Sequence, residues 1–450
     1  MVKLREPIVA VATPYGISAI GVLRLSGQGV WEKVKEYVRI RSEPKTRHAY
    51  LVKLTDESGS TIDQGIMIYY RSPNSYTGED MIEFSLHGNP LILKKVLELF
   101  VRKGVRLAHP GEFTKRAFLN GKMDLVQAEA VADLINAKTE LARKAATRQL
   151  QGDLSSYVNS LREKMLELLA YIEADIEFSE EDIPTLTKEQ TIHILTGVED
   201  GINTLLSTVK KGEFIRKGIN LAIVGKPNVG KSSLFNALLG QDRAIVTDIP
   251  GTTRDFLQEQ VHLDGIPVNL IDTAGIRSTH DNLERLGIQR SVERIKNADL
   301  ILFVIDSSSP VEREDWEVYN LIKERDHTKV LNKVDLGINP SVVDAFPDAV
   351  WVSAKTGEGI GKLKDVMLEK AGLIDEDCTN LYISTRHAAV LEKALSIIQS
   401  LKGKTLLEDL SPELLMLDIR EALSHLEEVV GIITTEDVLD SIFSRFCIGK

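Results

Sequence analysis

Gly225 to Ser232 read GKPNVGKS, preceded by the apolar run LAIV and followed by SLFNALLG, whose apolar spacing predicts a helix. Strand, glycine-bearing loop and helix in that order let main-chain N–H groups turn inward around a phosphate at a helix N-terminus. Lys231 can reach the β and γ oxygens of a nucleoside triphosphate and the Ser232 hydroxyl can ligate Mg²⁺, with Asn228, Val229, Gly230 and Ser233 beside them. An octapeptide of this kind also arises as an ordinary glycine-rich turn, so the reading depends on what lies downstream.

Three more motifs follow in order, each closing an apolar run. DTAG (Asp272, Thr273, Ala274, Gly275) offers a carboxylate and a main-chain N–H to Mg²⁺ and the γ-phosphate. NKVD supplies Asn332, Lys333 and Asp335, and SAK is Ser353, Ala354 and Lys355. The two oxygens of Asp335 match the N1–H and exocyclic amine of guanine, a donor pair that adenine does not present. Together the four motifs predict a site for GTP with Mg²⁺. The runs NLAIVG, VNLIDTAG, LILFVID, TKVLNKVD and AVWVSAK, with helical stretches between them, predict buried parallel strands of an α/β sheet over residues 216–372. Ile276 stands where Ras-like proteins carry the glutamine that orients the attacking water. An apolar side chain holds no water, so hydrolysis here needs another polar group and another source of positive charge.

The flanks have a different texture. Residues 1–118 alternate short β-branched and aromatic runs (IVAVATP, IGVLRLSG, GIMIYYRSPNSYTG, MIEFSLHGNP) with turn residues, and ILKKVLELFVRKG reads as a helix among them. That predicts an α+β domain. Residues 119–215 and 373–450 are helical, with no proline between Pro110 and Pro184; SPELLMLDIREALSHLEEVVG marks a helix with Ser411 as N-cap, Pro412 first and Gly431 just past the end. The fold class expected is multidomain, α+β, all-α and α/β, with the P-loop module inserted between two helical halves. A net charge of −11 argues against a protein coated in nonspecific nucleic-acid contacts and leaves room for a local basic patch. Two cysteines, Cys378 and Cys447, are too few for a disulfide framework, and no apolar run is long enough to span a membrane. Both observations point to the cytoplasm. The acidic run Glu173 to Asp182 reads as a solvated helix end, and His87 and His109 as turn or packing residues.

The nucleotide motifs resemble those of translation-factor-related GTPases. Over essentially the whole chain, IVAVATP with GVLRLSG, PNSYTGED, HPGEFTKRAFLNGKMDLVQAEAVADLI, the inserted module and the final CIGK resemble the MnmE (TrmE) family of tRNA-modification GTPases. The resemblance implies an N-terminal folate-binding-like domain through which a homodimer forms, a helical domain in two parts, and an inserted G domain. It implies work with the flavoprotein MnmG, in a heterotetramer, to build a carboxymethylaminomethyl or aminomethyl group on carbon 5 of the wobble uridine of tRNA. The one-carbon unit would come from 5,10-methylene-tetrahydrofolate.

Carried onto this sequence, the folate contacts implied are Arg24, Glu83, Lys122 and Lys450, and Cys447 is the thiolate candidate for the transfer; its alternative is a small half-buried residue in a last helix turn. Glu284 is implied to orient water. Potassium is implied to supply the missing charge, held by Asn228 and by the loop Thr247, Asp248, Ile249, Pro250, Gly251, Thr252, with Thr247, Ile249 and Thr252 as its ligands there. Thr253 is implied to complete the Mg²⁺ shell with Ser232. A rival reading is an Era-like ribosome-assembly switch that binds RNA; it leaves CIGK unexplained and expects a basic attached domain, where these flanks are helical and the chain acidic.

Overall fold

The computed structural model describes residues 6–177, 186–240, 260–263, 266–270, 298–372, 381–406 and 412–450. The N-terminal part runs β1 (Ile8–Val11), β2 (Ser18–Ser26), α1 (Val30–Val34), β3 (Val38–Arg39), β4 (Ala49–Thr55), β5 (Thr61–Tyr70), β6 (Met81–Gly88), α2 (Pro90–Arg102) and β7 (Arg106–Leu107). Its strands form one sheet in the order β3-β4-β5-β6-β2-β1-β7, antiparallel except for the β1–β7 pair. Alternation divides the faces. Leu23, Leu25, Ile82 and Phe84 point into a core completed by Val96 and Phe100 of α2, so Arg24 and Glu83, opposed across β2 and β6, share the other face. The start of α2 is fixed as its sequence suggests, with Asn89 Oδ1 accepting from the Leu91 N–H at 2.8 Å and Pro90 in the first turn.

A helical run follows: α3 (Glu112–Leu119), α4 (Leu125–Asn136), α5 (Glu140–Gln151), α6 (Asp153–Glu177), α7 (Lys188–Ser207) and α8 (Val209–Lys217). The absence of proline lets α6 reach 25 residues. Then come β8 (Ile219–Val224), α9 (Lys231–Leu239), β9 (Gln260–Leu263), β10 (Ile266–Leu270), β11 (Leu300–Asp306), α10 (Arg313–Ile322), β12 (Thr328–Asn332), α11 (Pro340–Ala345), β13 (Val350–Trp351) and α12 (Ile360–Lys370). Their sheet, ordered β13-β12-β11-β8-β10-β9, is parallel except at its edge. There β9 pairs antiparallel with β10, an element that the apolar runs did not announce. The chain ends with α13 (Thr385–Leu406), α14 (Pro412–Val430) and α15 (Glu436–Phe443). Pro412 and Gly431 (φ 83°) bound α14 as read from sequence, while Ser411 lies outside the described residues.

Two compact units result, each assembled from separated segments. One comprises Met1–Ile135, Gln149–Val198 and Lys393–Lys450, and the other Asn136–Arg148 and Glu199–Glu392. The second is wider than residues 216–372, because the helical segments next to the parallel sheet group with it. Within the first unit α6 and α14 are joined by Arg162 and Glu427 at 2.8 Å. Among the described residues no helix is long and apolar enough to cross a membrane.

Candidate functional site

The phosphate loop is shaped by backbone that few residues tolerate. Between β8 and α9, Asn228 (φ 65°) and Gly230 (φ 94°) are left-handed, and a Cβ on Gly230 would stand 2.3 Å from Nδ2 of Asn332. That amide ties three motifs together. Its Nδ2 donates to the Val229 carbonyl at 2.9 Å and its Oδ1 accepts from the Ala354 N–H at 3.0 Å. Lys333 donates to the Asn228 carbonyl at 2.7 Å and to Asp306 at 2.6 Å. Burial works to raise the Asp306 carboxyl, but Lys333 and Ser308 outweigh it and hold the group below the usual range. Asp335 is oriented by the Ser353 hydroxyl, which donates to Oδ1 at 2.6 Å.

Lys231 lies along the loop, its Nζ donating to the carbonyls of Gly225 at 2.8 Å and Lys226 at 2.7 Å. Lys226 is clamped in turn by Glu312 and Asp315, each at 2.9 Å, with Asp315 only 1% exposed. A cavity of ≈ 560 Å³ opens here, lined by Gly230, Ser233, Asn236, Lys333, Asp335 and Lys355 among others. A left-handed loop at a helix N-terminus beside a lysine, and a fixed carboxylate with two further lysines, suit a guanine nucleotide's phosphates and base edge. Asn236 and Leu336, which also line the cavity, fall in no motif. The signal for Asn236 was its place three residues after Ser233 on one helix face.

A second constellation occupies the open face of the first sheet. Arg24 Nε donates to Glu83 at 2.8 Å, and the Tyr70 hydroxyl donates to the other Glu83 oxygen at 3.3 Å. The Arg24 guanidinium lies 5.5 Å and 5.7 Å from the ring centres of Tyr76 and Phe113. Its Nη1 donates to the Gly449 carbonyl at 3.2 Å, across 425 positions of sequence. The tail is pinned there because the Phe113 N–H donates to a main-chain oxygen of Lys450 at 3.2 Å. Burial, and then the charge of Arg24, lower the pKa of the half-buried Lys450 ammonium, with Glu83 opposing.

Behind this site Arg116, 1% exposed, joins Glu79 at 3.0 Å and Glu112 at 2.8 Å, and Tyr76 is held by Thr114 at 2.9 Å. Burial alone would raise the Glu112 carboxyl; Arg106, the His109 N–H and Arg116 overcome it and hold the group at about 2. A guanidinium-backed carboxylate, aromatic rings and a half-buried ammonium suit a flat heterocycle with an amidine-like edge and an anionic tail.

Known proteins share both constellations' sequence context. The MnmE helical domain family matches residues 125–447, and the family described as GTP-binding protein TrmE N-terminus matches residues 7–122. A "tRNA modification GTPase MnmE" of Aquifex aeolicus (strain VF5) is 58% identical over 448 residues, 99% of this chain and 100% of that relative. The chain belongs to the MnmE family of tRNA modification GTPases. Relatives with the same description from Thermotoga petrophila and Thermotoga maritima are 44% and 43% identical, each covering 99% of this chain and 100% of the relative. Among solved structures, the G domain of the T. maritima FeoB iron transporter matches 34% of this chain and 98% of its own, at 28% identity and a TM-score of 0.25.

Of the residues singled out by the motifs and by the family resemblance, Asn228 to Ser233 lie on the phosphate loop and the first turn of α9, and Asn332, Lys333, Asp335 and Ser353 to Lys355 lie at or after the ends of β12 and β13 around the same cavity. Thr247 to Thr253, Asp272 to Gly275, Ile276 and Glu284 lie outside the described residues, as does Cys378. Arg24, Glu83 and Lys450 are brought together. Lys122 is exposed and donates to the Pro73 carbonyl at 3.1 Å, on the loop that also carries Tyr76. Cys447 is an exposed free thiol four residues past the end of α15, not a half-buried residue of a last helix turn; its carbonyl accepts from the Lys450 N–H at 3.3 Å. His87 is bonded to Asp63 through Nδ1 at 2.7 Å and His109 is exposed. Glu173, at the head of the acidic run, pairs with Arg420 at 2.7 Å, and no group of three or more His, Cys, Asp or Glu suited to a metal occurs among the described residues.

Proposed function

We propose that this MnmE-family GTPase acts on the wobble uridine of tRNA, as a cytoplasmic homodimer working with the flavoprotein MnmG, with a methylene-tetrahydrofolate as one-carbon donor. The observation that carries the reading beyond GTP hydrolysis is the junction of Arg24, Glu83 and the 449–450 tail, which a simple GTP switch has no need to build. In that junction Glu83 accepts from the amidine-like edge of the pterin, held in orientation by Arg24 and Tyr70, while Lys450 faces the anionic end of the donor. The folate supplies the one-carbon unit when bound. The exposed Cys447 thiol, three residues before Lys450, is the candidate nucleophile.

In the nucleotide site, Lys231 exchanges the Gly225 and Lys226 carbonyls for phosphate oxygens, Ser232 and Thr253 would hold Mg²⁺, and Asp335 selects guanine. With Ile276 in the glutamine position, Glu284 would orient water, and Asn228 with the loop 247–252 would hold a K⁺ that could supply the missing positive charge. K⁺ is expected to accelerate GTP turnover where Na⁺ does not; equal rates in the two salts would remove that part of the mechanism. The decisive test of the whole reading is nucleoside analysis of tRNA from cells lacking this protein. Loss of the wobble-uridine modification is expected, and a normal profile with a ribosomal-subunit assembly defect would favour the Era-like alternative.

A further inference from the structure

The chain carries 66 Asp and Glu against 55 Lys and Arg, yet an RNA backbone is held by cations. Two short stretches reverse the balance. Residues 138–148 contain Lys138, Arg143, Lys144 and Arg148 against one acid, Glu140. Residues 208–218 contain Lys210, Lys211, Arg216 and Lys217 against one acid, Glu213. The first leads into and forms most of α5, the second is α8, and both belong to the same compact unit. The two helices meet: Ala142, Ile215 and Tyr382 form one buried cluster, with Leu141 and Ala145 packed against it. Packed helices run about 8–10 Å apart, so cations on both contribute to a single local field.

The surface is available to a ligand. Arg143, Lys144, Lys210, Arg216 and Lys217 are exposed. Two of the cations are paired within their own helices, Arg143 with Glu140 at 2.6 Å and Lys217 with Glu213 at 2.7 Å. Such solvent-facing pairs contribute little and yield to a phosphate. The ammonium groups of Lys210 and Lys211 stand 5.7 Å and 5.9 Å from the rings of Phe214 and Tyr382, which steadies their stems on aromatic surface. None of the exposed large apolar side chains falls in either stretch, whereas a protein-binding patch has an apolar centre. A solvated helix face accounts for scattered charges; it does not account for seven cations gathered on two packed helices, with Lys138 just before the first, in a chain with net charge −11.

We propose that the α5–α8 surface docks the sugar-phosphate backbone of the tRNA substrate, an inference that rests on the reading of tRNA as substrate. The test is anisotropy of labelled total tRNA titrated with the full chain at several KCl concentrations, alongside the variants R143Q/K144Q/K210Q/K217Q and R143E/K144E/K210E/K217E. Neutralising four cations should weaken binding at least about tenfold and lower the salt slope by about 3, and reversing them should weaken it further. Basal GTP turnover serves as the folding check and should not change. Unchanged affinity and slope in a variant with normal turnover would overturn the assignment. So would lost tRNA modification at unchanged tRNA affinity, which would give the surface to a protein partner. A wild-type chain with no salt-dependent tRNA binding would also overturn it; modification that nevertheless depends on this chain in cells would then leave the functional reading standing.

Discussion

Asp335 shows how much chemistry one side chain can carry when its neighbours fix it. Ser353 donates to one of its oxygens, so the carboxylate has a set orientation toward the cavity wall it helps to form. Asp335→Asn replaces an acceptor with an amide donor where guanine presents N1–H and an amine. Two charge-assisted hydrogen bonds, each about 1.5–3 kcal/mol, are then lost. GTP and GDP affinity measured with a fluorescent analogue should fall at least about 100-fold, and an unaltered Kd would place the base elsewhere. Asp335 was readable in the sequence because its role is tied to a fixed neighbourhood, NKVD at the end of a strand. Glu83 and Arg24 were assigned only by resemblance, although the register that makes them cross-strand partners follows from strand alternation. Tyr70, Tyr76 and the Gly449 carbonyl were not found at all. Two are aromatic residues whose partners depend on loop placement, and the third is a main-chain acceptor that no side-chain pattern reports.

Elements succeeded where their boundaries have a local cause. α14 begins at Pro412 and stops before Gly431, α2 begins under Asn89, and α9 follows a loop whose left-handed residues are Asn228 and Gly230. β9 escaped because it spans only four residues, too short for a period to declare itself. The phosphate loop is the most constrained of these pieces. Gly230→Ala would place a methyl group 2.3 Å from the Asn332 amide and demand positive φ of an alanine, so Asn332 must release Val229 or Ala354. Nucleotide binding should be lost, and the thermal transition of the nucleotide-free protein should fall by several degrees, a cost of about 1–3 kcal/mol. Full nucleotide affinity in this variant would show that the Asn332 bridge is dispensable.

At the scale of the molecule, the interleaving of segments makes each unit depend on distant parts of the chain, and buried charge gives one of them a specific pH response. Glu112 has a folded pKa of about 2 against a reference of 4.5. Its contribution to stability is therefore fully present above about 4.5 and is lost as the pH falls toward 2. Glu112→Gln should lower the midpoint of unfolding at neutral pH, because Arg116 and Arg106 would lose their shared anion. The same variant should also unfold with a shallower pH dependence between 4.5 and 2. An acid limb as steep as the wild type's would mean that other carboxylates govern it.

The Gly449 carbonyl on Arg24 lets a main-chain atom 425 positions away help to set where the guanidinium stands. Gly449 itself has positive φ (96°), and a Cβ there would come within 2.6 Å of the Val11 carbonyl, so the backbone shape of one distant glycine governs the charge geometry above β2 as much as the sheet that carries Arg24 does.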